Sequence, residues 1–478
     1  MDPRSWSYTA VRQLAVDYPV NARESTFTPL MFNAVGGSTI HWSAHYPRYH
    51  PSDFRVRSLD GVGDDWPLSY TELEPFYDLS DRLTGVAGVV GDPSQPPRSA
   101  RSTPPLPIGR LGETIASGFD KLRWHWWASD AAINSEAYDG RPGCNLGGPC
   151  DIGCPTGARA SADVTFWPKA LRAGAELRTG CRVREVSLDS SGRARGVVYY
   201  DRNGAVQEQQ AALVVLACNG IGTPRLLLNS RSARFPDGLA NRSGLVGKNL
   251  MFHPFAAVGG VFPDQLDSWA GPIGAAIFSH EFYETDLQRG FVRGFGLQIV
   301  RQSGPLNVAL GGFTQQRVPW GDQHHRVFGE RFGHMINIGV LGEDLPETVN
   351  EVVLDPELSD AHGIPAPLVR YRLSDNSLRM LDFACWRAAE VLEAAGATQV
   401  QVQNPLRPSG WHLLGTCRMG DDPAGSVVDR WGRAHDVPNL FIVDGSVFVT
   451  SAAVNPTTTI QALALRTADY IVRTRGQP

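Results

Sequence analysis

The chain has 478 residues, with 44 Lys and Arg against 49 Asp and Glu, which gives a formal net charge of −5 at pH 7. This balance offers no basic surface for nucleic acid, and no apolar run reaches the ~18 residues of a membrane-spanning helix. Seven cysteines, an odd number, and the lack of a signal-peptide pattern near the start predict a cytoplasmic protein without structural disulfides.

The first candidate binding element is the loop at residues 32–42. Two consecutive glycines, Gly36 and Gly37, allow backbone amides to approach a flat ring closely. Ser38 and His41 follow them within the same loop. The loop is therefore predicted to bind a planar ligand.

Local signals then predict a helix and a linker. Ser69 and Glu72 have the spacing of a capping box, which predicts that a helix begins there. The prolines that crowd between Asp92 and Ile108 predict an extended connection outside the core. His45 and His50, before these elements, are predicted to be solvated.

Three of the seven cysteines, Cys144, Cys150 and Cys154, lie in one glycine- and proline-rich loop. Thiolates this close together are typical ligands of zinc or of an iron–sulfur cluster. The alternative is a loop whose thiols pack or pair without a metal. The residues alone leave these interpretations open.

The middle of the chain predicts strands and helices in alternation. The continuous apolar run from Leu213 to Ala217 is typical of a buried parallel strand. Residues 218–227 follow it as a glycine turn that opens a helix. Farther on, Ser374 is predicted to cap a helix with Leu378 on its apolar face, ending at Gly396.

The last part of the chain holds two blocks with candidate functional residues. The first, residues 411–420, contains His412. In the second, an apolar run ends in Asp444-Gly445-Ser446, and after a short loop Asn455 and Pro456 open an amphipathic helix. Asn455 is the predicted N-cap of this helix, and Pro456 its first residue. Free N–H groups and the positive end of the helix dipole favour an electron-rich ligand there.

These blocks resemble the C-terminal signature of the glucose–methanol–choline (GMC) oxidoreductases, a family of FAD-dependent alcohol and sugar oxidases and dehydrogenases. Residues 218–227 resemble the second signature of the family, and residues 244–254 resemble the exit from its FAD domain. The blocks occur in family order and together span most of residues 30–475. The combination is more specific than any one of them.

The resemblance implies an α/β fold with a Rossmann-like FAD-binding domain and a second, α+β substrate domain built on an antiparallel sheet. The FAD-binding domain would be discontinuous, with residues 1–54, 155–255 and 405–478. The substrate domain would hold residues 55–154 and 256–404, including the linker and the cysteine-rich loop.

The resemblance also implies the chemistry. His412 would take the proton of an alcohol as hydride leaves for flavin N5, and Asn455 would orient the hydroxyl. Imidazole suits this role because its ordinary pKa near ~6.5 leaves it neutral at pH 7. The implied cofactor-binding residues are Gly36, Gly37, Ser38, His41, Val183, Asn219, Asp444, Gly445, Asn455, Pro456 and Thr457.

Two features imply further redox chemistry. His41 matches the position of the histidine that bonds covalently to the flavin in the pyranose oxidase branch, and a non-covalent FAD beside His41 is the alternative. The spacing of Cys144, Cys150 and Cys154 resembles the [3Fe-4S] loop of FAD-dependent glucose dehydrogenases. There the cluster passes electrons to a cytochrome subunit.

One departure from the family stands at the start. The family begins with a strand and a G-x-G-x-x-G turn that seats the FAD pyrophosphate. The first 35 residues here contain no glycine. The N-terminal βαβ unit is therefore expected to be missing, and a start downstream of the true one is the favoured explanation.

Three functions follow from these residues. The first is an FAD enzyme that oxidises the CH–OH group of a sugar, polyol, glycoside or other alcohol and passes electrons to oxygen, a quinone or a cytochrome. The second is a non-catalytic remnant unable to bind FAD. The third is an electron-transfer dehydrogenase subunit with an iron–sulfur cluster.

Overall fold

The computed structural model describes residues 18–148, 150–274, 276–302 and 304–474. Its strands are β1 (Asn21–Ser25), β2 (Trp127–Ala128), β3 (Arg182–Leu188), β4 (Ala194–Tyr200), β5 (Val206–Gln210), β6 (Val214–Leu216), β7 (Phe255–Val261), β8 (Ile277–Ser279), β9 (Phe295–Val300), β10 (Met335–Gly342), β11 (Glu351–Ser359), β12 (Pro365–Tyr371), β13 (Gln399–Gln403) and β14 (Leu440–Ile442). Its α-helices are α1 (Val56–Asp60), α2 (Tyr70–Thr84), α3 (Gly109–Leu122), α4 (Ala162–Arg172), α5 (Asn219–Asn229), α6 (Pro305–Ala309), α7 (His324–Arg331), α8 (Asp375–Ala394) and α9 (Thr457–Thr474). Within these ranges no helix has the length and apolar character needed to cross a bilayer.

The largest sheet has six strands in the order β13-β7-β10-β9-β8-β2, and neighbouring strands run antiparallel. Every residue of β7, β9 and β10 is buried. Helices α3 and α8 pack together, and α8 packs on β7 and β10, forming one apolar core. Burial of strands on both faces means that other parts of the chain cover the face opposite α8.

A second region combines parallel and antiparallel strands with helices. β14 pairs in parallel with β6, which confirms the predicted parallel strand, and β3, β4 and β5 form an antiparallel sheet. Helix α5 packs on β3, and α9 packs on α2. The predicted fold class, a Rossmann-like α/β part with an α+β part on an antiparallel sheet, is confirmed. The domain boundaries remain a prediction.

Several local predictions meet the structure directly. The capping box forms, since Ser69 N donates to Glu72 Oε2 at 2.8 Å and Glu72 N donates to Ser69 Oγ at 3.3 Å. Ser374 caps α8 by accepting from Ser377 N. Two burial predictions are wrong, because Leu378 is 43% exposed and Val215, in the middle of β6, is 45% exposed.

A buried network of charges ties the large sheet to the segment before α2. The Arg293 guanidinium donates to Glu343 Oε2 at 2.8 Å, to Asp60 Oδ2 at 2.7 Å and to Asp53 Oδ1 at 2.8 Å. Tyr283 adds a hydrogen bond from its hydroxyl to Asp53 Oδ2 at 2.7 Å. Burial, reinforced by the neighbouring Glu343 charge, raises the pKa of Asp53 to about 7. The network therefore depends on the arginine.

Replacing Arg293 with methionine should lower the free energy of unfolding by roughly 3–5 kcal/mol at pH 7.5, because buried carboxylates lose their counter-charge. The loss should be smaller at pH 5.5. The folded-state pKa of Asp53 is about 7 and its unfolded value is ~3.9, so Asp53 takes up a proton below about pH 7, which stabilises the fold. The protonated carboxyl is neutral and no longer needs the charge of Arg293. Urea denaturation at the two pH values measures this. The exposed Arg326–Glu330 pair is the control, and Arg326→Met should cost less than ~1 kcal/mol.

Candidate active site

A cavity of about 180 Å³ lies beside the antiparallel sheet, between the sheet and the predicted binding elements. Phe255, Gln298 and Asn337 from β7, β9 and β10 line it. On its other walls are His412 and Asn455, the two predicted catalytic residues. Among the predicted cofactor-binding residues, those that also line the cavity are Ser38, Asn455 and Thr457.

Backbone hydrogen bonds hold the block of His412 in place. Leu414 and Met251 bond each other through N–H and C=O in both directions at 3.0 Å. Gly415 N then donates to Gly445 O at 3.1 Å, and Cys417 N donates to Ser446 O at 2.7 Å. A Cβ at Gly445 would stand 2.6 Å from the Leu413 carbonyl oxygen, so only glycine allows this approach. The two predicted blocks are thereby fixed to each other.

His412 pairs with a histidine that the sequence analysis did not identify. The Nδ1 atoms of His412 and His253 are 2.9 Å apart, so one ring donates a proton and the other accepts it. His253 is buried, and burial lowers its pKa to about 4 although nearby backbone, first that of Ala452, acts in the opposite direction. His253 therefore stays neutral near pH 7, and the pair orients the His412 ring.

Asn455 differs from its predicted role. Helix α9 begins at Thr457, and its first turn closes with a bond from Ile460 N to Pro456 O at 2.9 Å. The predicted N-cap at Asn455 is therefore wrong by one position, because Pro456 precedes the helix. The Asn455 Oδ1 is buried and has no hydrogen-bond partner within the described residues. A buried unpaired acceptor beside a cavity indicates a ligand with a donor group.

The glycine loop forms a single 3₁₀ turn at Gly37–His41. Gly36 and Gly37 have φ angles of 94° and 56°, which favour glycine. Thr39 Oγ1 donates to Gly36 O at 2.5 Å and accepts from Ala162 N at 3.0 Å, which clamps the loop to α4. Within the described part of the chain, and apart from Gly37 and its two chain neighbours, no atom lies within 4 Å of the position that a Cβ on Gly37 would take. The turn therefore presents open backbone.

Asp444 and Asn219 contact each other and not the cavity. Asp444 accepts from Asn219 N at 3.1 Å, from Thr223 Oγ1 at 2.5 Å and from Ser446 N at 2.9 Å. Asn219 Oδ1 accepts from Ile221 N at 2.9 Å and closes the start of α5. The carboxylate thus joins α5 to the turn after β14. Val183, on β3, is 38% exposed and also lies outside the cavity wall.

His41 lies in a buried position next to the cysteine loop. Its Nδ1 is 2.9 Å from the carbonyl oxygen of Asp151. A carbonyl only accepts, so Nδ1 carries the ring proton in the neutral form. The turn Cys150–Ile152 packs against Gly37–His41. The loop of three cysteines is therefore a direct neighbour of the predicted flavin loop.

The three thiols are free and differ in environment. Burial raises the pKa of Cys150 to about 11 and also raises that of Cys144. Burial alone would raise the pKa of Cys154, but hydrogen bonds from the backbone of Arg159 and its neighbours bring this pKa below its ordinary value. Cys154 is therefore the thiol that ionises most readily of the three.

Within the described residues, Asp92, His125 and His280 are the set of three metal-type side chains whose ligand atoms lie within 4.8 Å of one another. His125 Nδ1 accepts from His280 N at 3.0 Å, so its Nε2 carries a proton and donates to Asp92 Oδ1 at 2.9 Å. A metal ligand needs an unprotonated nitrogen. This geometry favours a hydrogen-bonded clamp on the linker over a metal site.

The prediction that His45 and His50 are solvated is wrong. Both are buried, because His45 stacks on Phe278 with ring centres 5.1 Å apart and His50 stacks on Tyr283 at 3.9 Å. His45 also lines the cavity, and burial lowers its pKa to about 4. Aromatic partners far away in the sequence explain the error.

Comparisons with known proteins agree with this architecture. Two family models described as GMC oxidoreductase match, one at residues 128–255 and one at residues 346–464. The 2-methyl-1,2-propanediol dehydrogenase of Mycolicibacterium austroafricanum is 45% identical, over 98% of this chain and 86% of the relative. The fructose dehydrogenase large subunit of Gluconobacter japonicus is 33% identical, over 92% and 81%. The crystal structure of pyridoxine 4-oxidase from Mesorbium loti superposes with a TM-score of 0.67 at 17% identity, over 98% of this chain and 91% of that one, which shows the fold.

The buried His253 should resist protonation. In protein with ¹³C-labelled histidine rings, the resonance that His253→Gln removes should not titrate between pH 8 and 5.5, because its pKa is about 4. In urea the same ring should titrate near ~6.5. Since the folded pKa is the lower one, this group destabilises the fold as the pH falls from 6.5 towards 4. Titration near 6.5 in the folded protein would contradict the assignment.

Proposed function

Because this chain belongs to the GMC oxidoreductase family and is an oxidoreductase that acts on CH–OH groups, we propose that it oxidises a polyol, sugar or other small alcohol with bound FAD. The observation that carries the proposal is the meeting of His412 and Asn455 at one cavity wall, beside Ser38 and Thr457. The names of two relatives, a 2-methyl-1,2-propanediol dehydrogenase and a fructose dehydrogenase, support this substrate class.

The residues at one end of the site fit the flavin ring of FAD. The open backbone at Gly37 leaves room for a flat ring, and the buried, unpaired Oδ1 of Asn455 calls for a donor. We propose that the Gly36–Ser38 loop and the first turn of α9 hold the flavin end, and that Val183 and Asn219 lie on the adenine side. Asp444 would act through the turn that contains Gly445. When bound, FAD would supply the acceptor for the hydride of the alcohol carbon.

His412 would accept the alcohol proton. For its Nε2 to offer a lone pair, its Nδ1 must carry the other proton and donate it to Nδ1 of His253. The neutral state of His253 supports this direction, because a neutral ring has an acceptor nitrogen. Asn455 does not titrate and would orient the hydroxyl at the same wall. In this proposal His412 takes the proton and Asn455 positions the hydroxyl.

Two roles are proposed for His41, a covalent bond to the flavin and a non-covalent contact with it. Its Nδ1 holds a proton towards the Asp151 carbonyl, so Nε2 is the nitrogen with the lone pair that a covalent bond to the flavin methyl group would need. The alternative is a non-covalent FAD with His41 beside it. Oxygen, a quinone and a cytochrome are the candidate electron acceptors.

Replacing His412 with alanine should slow flavin reduction by 2-methyl-1,2-propanediol by a factor of ~10²–10⁴, because the general base is lost. Asn455→Ala should slow it less, since an orienting bond and not the base is removed. Stopped-flow absorbance of the flavin measures both, and the bound flavin should remain. His325→Ala, at an exposed position, is the matched control. Reduction by His412→Ala at the wild-type rate would contradict the assignment, and wild-type protein that cannot be loaded with FAD would favour the remnant hypothesis.

The packing of the cysteine loop against the Gly37–His41 turn favours a second candidate function. We propose that Cys144, Cys150 and Cys154 hold an iron–sulfur cluster that carries electrons from the flavin to an external acceptor. Thiolates are the ligands such clusters require, and Cys154 already ionises below its ordinary pKa after burial and hydrogen bonds are balanced. The alternative without a metal is a loop in which Cys150 packs in the core.

Anaerobically purified protein should contain iron and sulfide in the ratio of a [3Fe-4S] cluster. Cys154→Ser should lose both and Cys385→Ser should keep them, because Cys385 lies in the separate core of α8. Chemical iron and sulfide analysis measures this. If neither element is present in the wild-type protein, the simple flavoenzyme is the remaining candidate.

A further inference from the structure

Arg301 occupies an unusual position at the end of β9. It lines the cavity and is 5% exposed. Its Nη2 donates to the carbonyl oxygens of Pro107 at 3.1 Å and Ile108 at 2.6 Å. Its Nε is buried without a hydrogen-bond partner among the described residues. A guanidinium has five N–H donors, so donors are left for another group.

Three other buried arginines are matched by carboxylates. Arg48 pairs with Asp78 and Asp81, Arg225 pairs with Asp360, and Arg293 pairs with three acids. Within the described ranges no carboxylate comes within ion-pair distance of Arg301, and burial alone lowers its pKa. Burying a cation without a counter-charge is costly, and such cost is typical of binding sites.

Two further buried arginines show that cavity position is the distinguishing feature. Arg159 and Arg466 bond backbone carbonyls, as Arg301 does. Arg466 also lies over the Trp431 ring at 3.8 Å, and acidic groups, among them Asp151, act on Arg159. Neither of these two arginines lines the cavity. Arg301 therefore combines an unmatched charge with access to the site.

We propose that Arg301 is an anion subsite, at which the carboxylate of a hydroxy acid or sugar acid binds while its hydroxyl group reaches His412 and Asn455. This rests on the proposed function, because it assumes that the cavity holds the alcohol substrate. A carboxylate fits better than a phosphate. Asp151, which also lines the cavity, disfavours a doubly charged group, and a guanidinium N–H that does not bond the two carbonyls forms a strong charge-assisted bond with a carboxylate oxygen.

The surroundings hold the guanidinium in position for such a ligand. A Cβ at Gly271 would stand 2.9 Å from Nε and 3.1 Å from the guanidinium carbon, so the backbone of this glycine packs closely against the group. The two carbonyl bonds fix the other side. Gln298 and Asn307 add uncharged polar groups to the cavity wall, which suit the hydroxyls of a polyol chain. The subsite is preorganised, which limits the entropy lost on binding.

The test compares gluconate with sorbitol, which have the same carbon chain and differ in charge. Isothermal titration of the FAD-loaded protein should show tighter binding of gluconate. Arg301→Gln should weaken gluconate binding at least about tenfold and leave sorbitol binding unchanged, because one charge-assisted contact is lost. Arg301→Lys should bind gluconate with an affinity between those of the wild type and Arg301→Gln, since lysine keeps the charge but not the planar guanidinium. Arg326→Gln, at an exposed position, should change neither.

Equal wild-type affinity for the two compounds would overturn the subsite, as would parallel loss of both in Arg301→Gln. If Arg301→Gln does not fold, competition by acetate against gluconate in the wild type decides instead. Competition that weakens with added chloride supports the subsite, and no competition overturns it. Failure of the proposed function is seen separately, as unchanged flavin reduction in His412→Ala, because titration measures binding and not hydride transfer.

Discussion

The site depends on the backbone bonds that join the segment after His412 to the turn after β14. Leu414 is bonded to Met251 on one side, and Gly415 and Cys417 are bonded to the turn at Gly445–Val447 on the other. Asp444 then attaches the same turn to the start of α5. These bonds fix His412, the turn and the segment that leads to Asn455 to one another, so the backbone framework sets their relative positions.

The pairing of buried polar groups differs between the Arg293 network of the framework and two groups at the cavity. In the framework, buried charges are matched, as in the network of Arg293 with its three acids. At the cavity, the Asn455 Oδ1 and the Arg301 Nε are buried without partners in the described chain. Unpaired groups cost stability, so these two are candidates for completion by a ligand in the cavity.

Local motifs in the sequence predict part of this structure, and contacts between distant parts of the chain decide the rest. His412 and Asn455, which both line the cavity, could be predicted as a pair because each lies in a contiguous block, and the strand paired with β14 could be predicted from an apolar run. His253 and Arg301 were missed because their importance comes from partners far away in the chain. The burial of His45 was missed for the same reason, since its stacking partner is Phe278. Exposure within an element, as at Leu378, depends on which neighbour covers each face.

The identity of the partner of His412 bears on how the site works near neutral pH. A carboxylate at this position would stabilise the imidazolium and raise the pKa of the base, which would favour its protonated, inactive form. A buried neutral imidazole exerts no such charge, and burial keeps His253 neutral. In the proposed tautomer, His253 accepts a hydrogen bond from Nδ1 of His412 and so orients that ring. In the proposed mechanism, this arrangement would hold His412 in position to accept the alcohol proton.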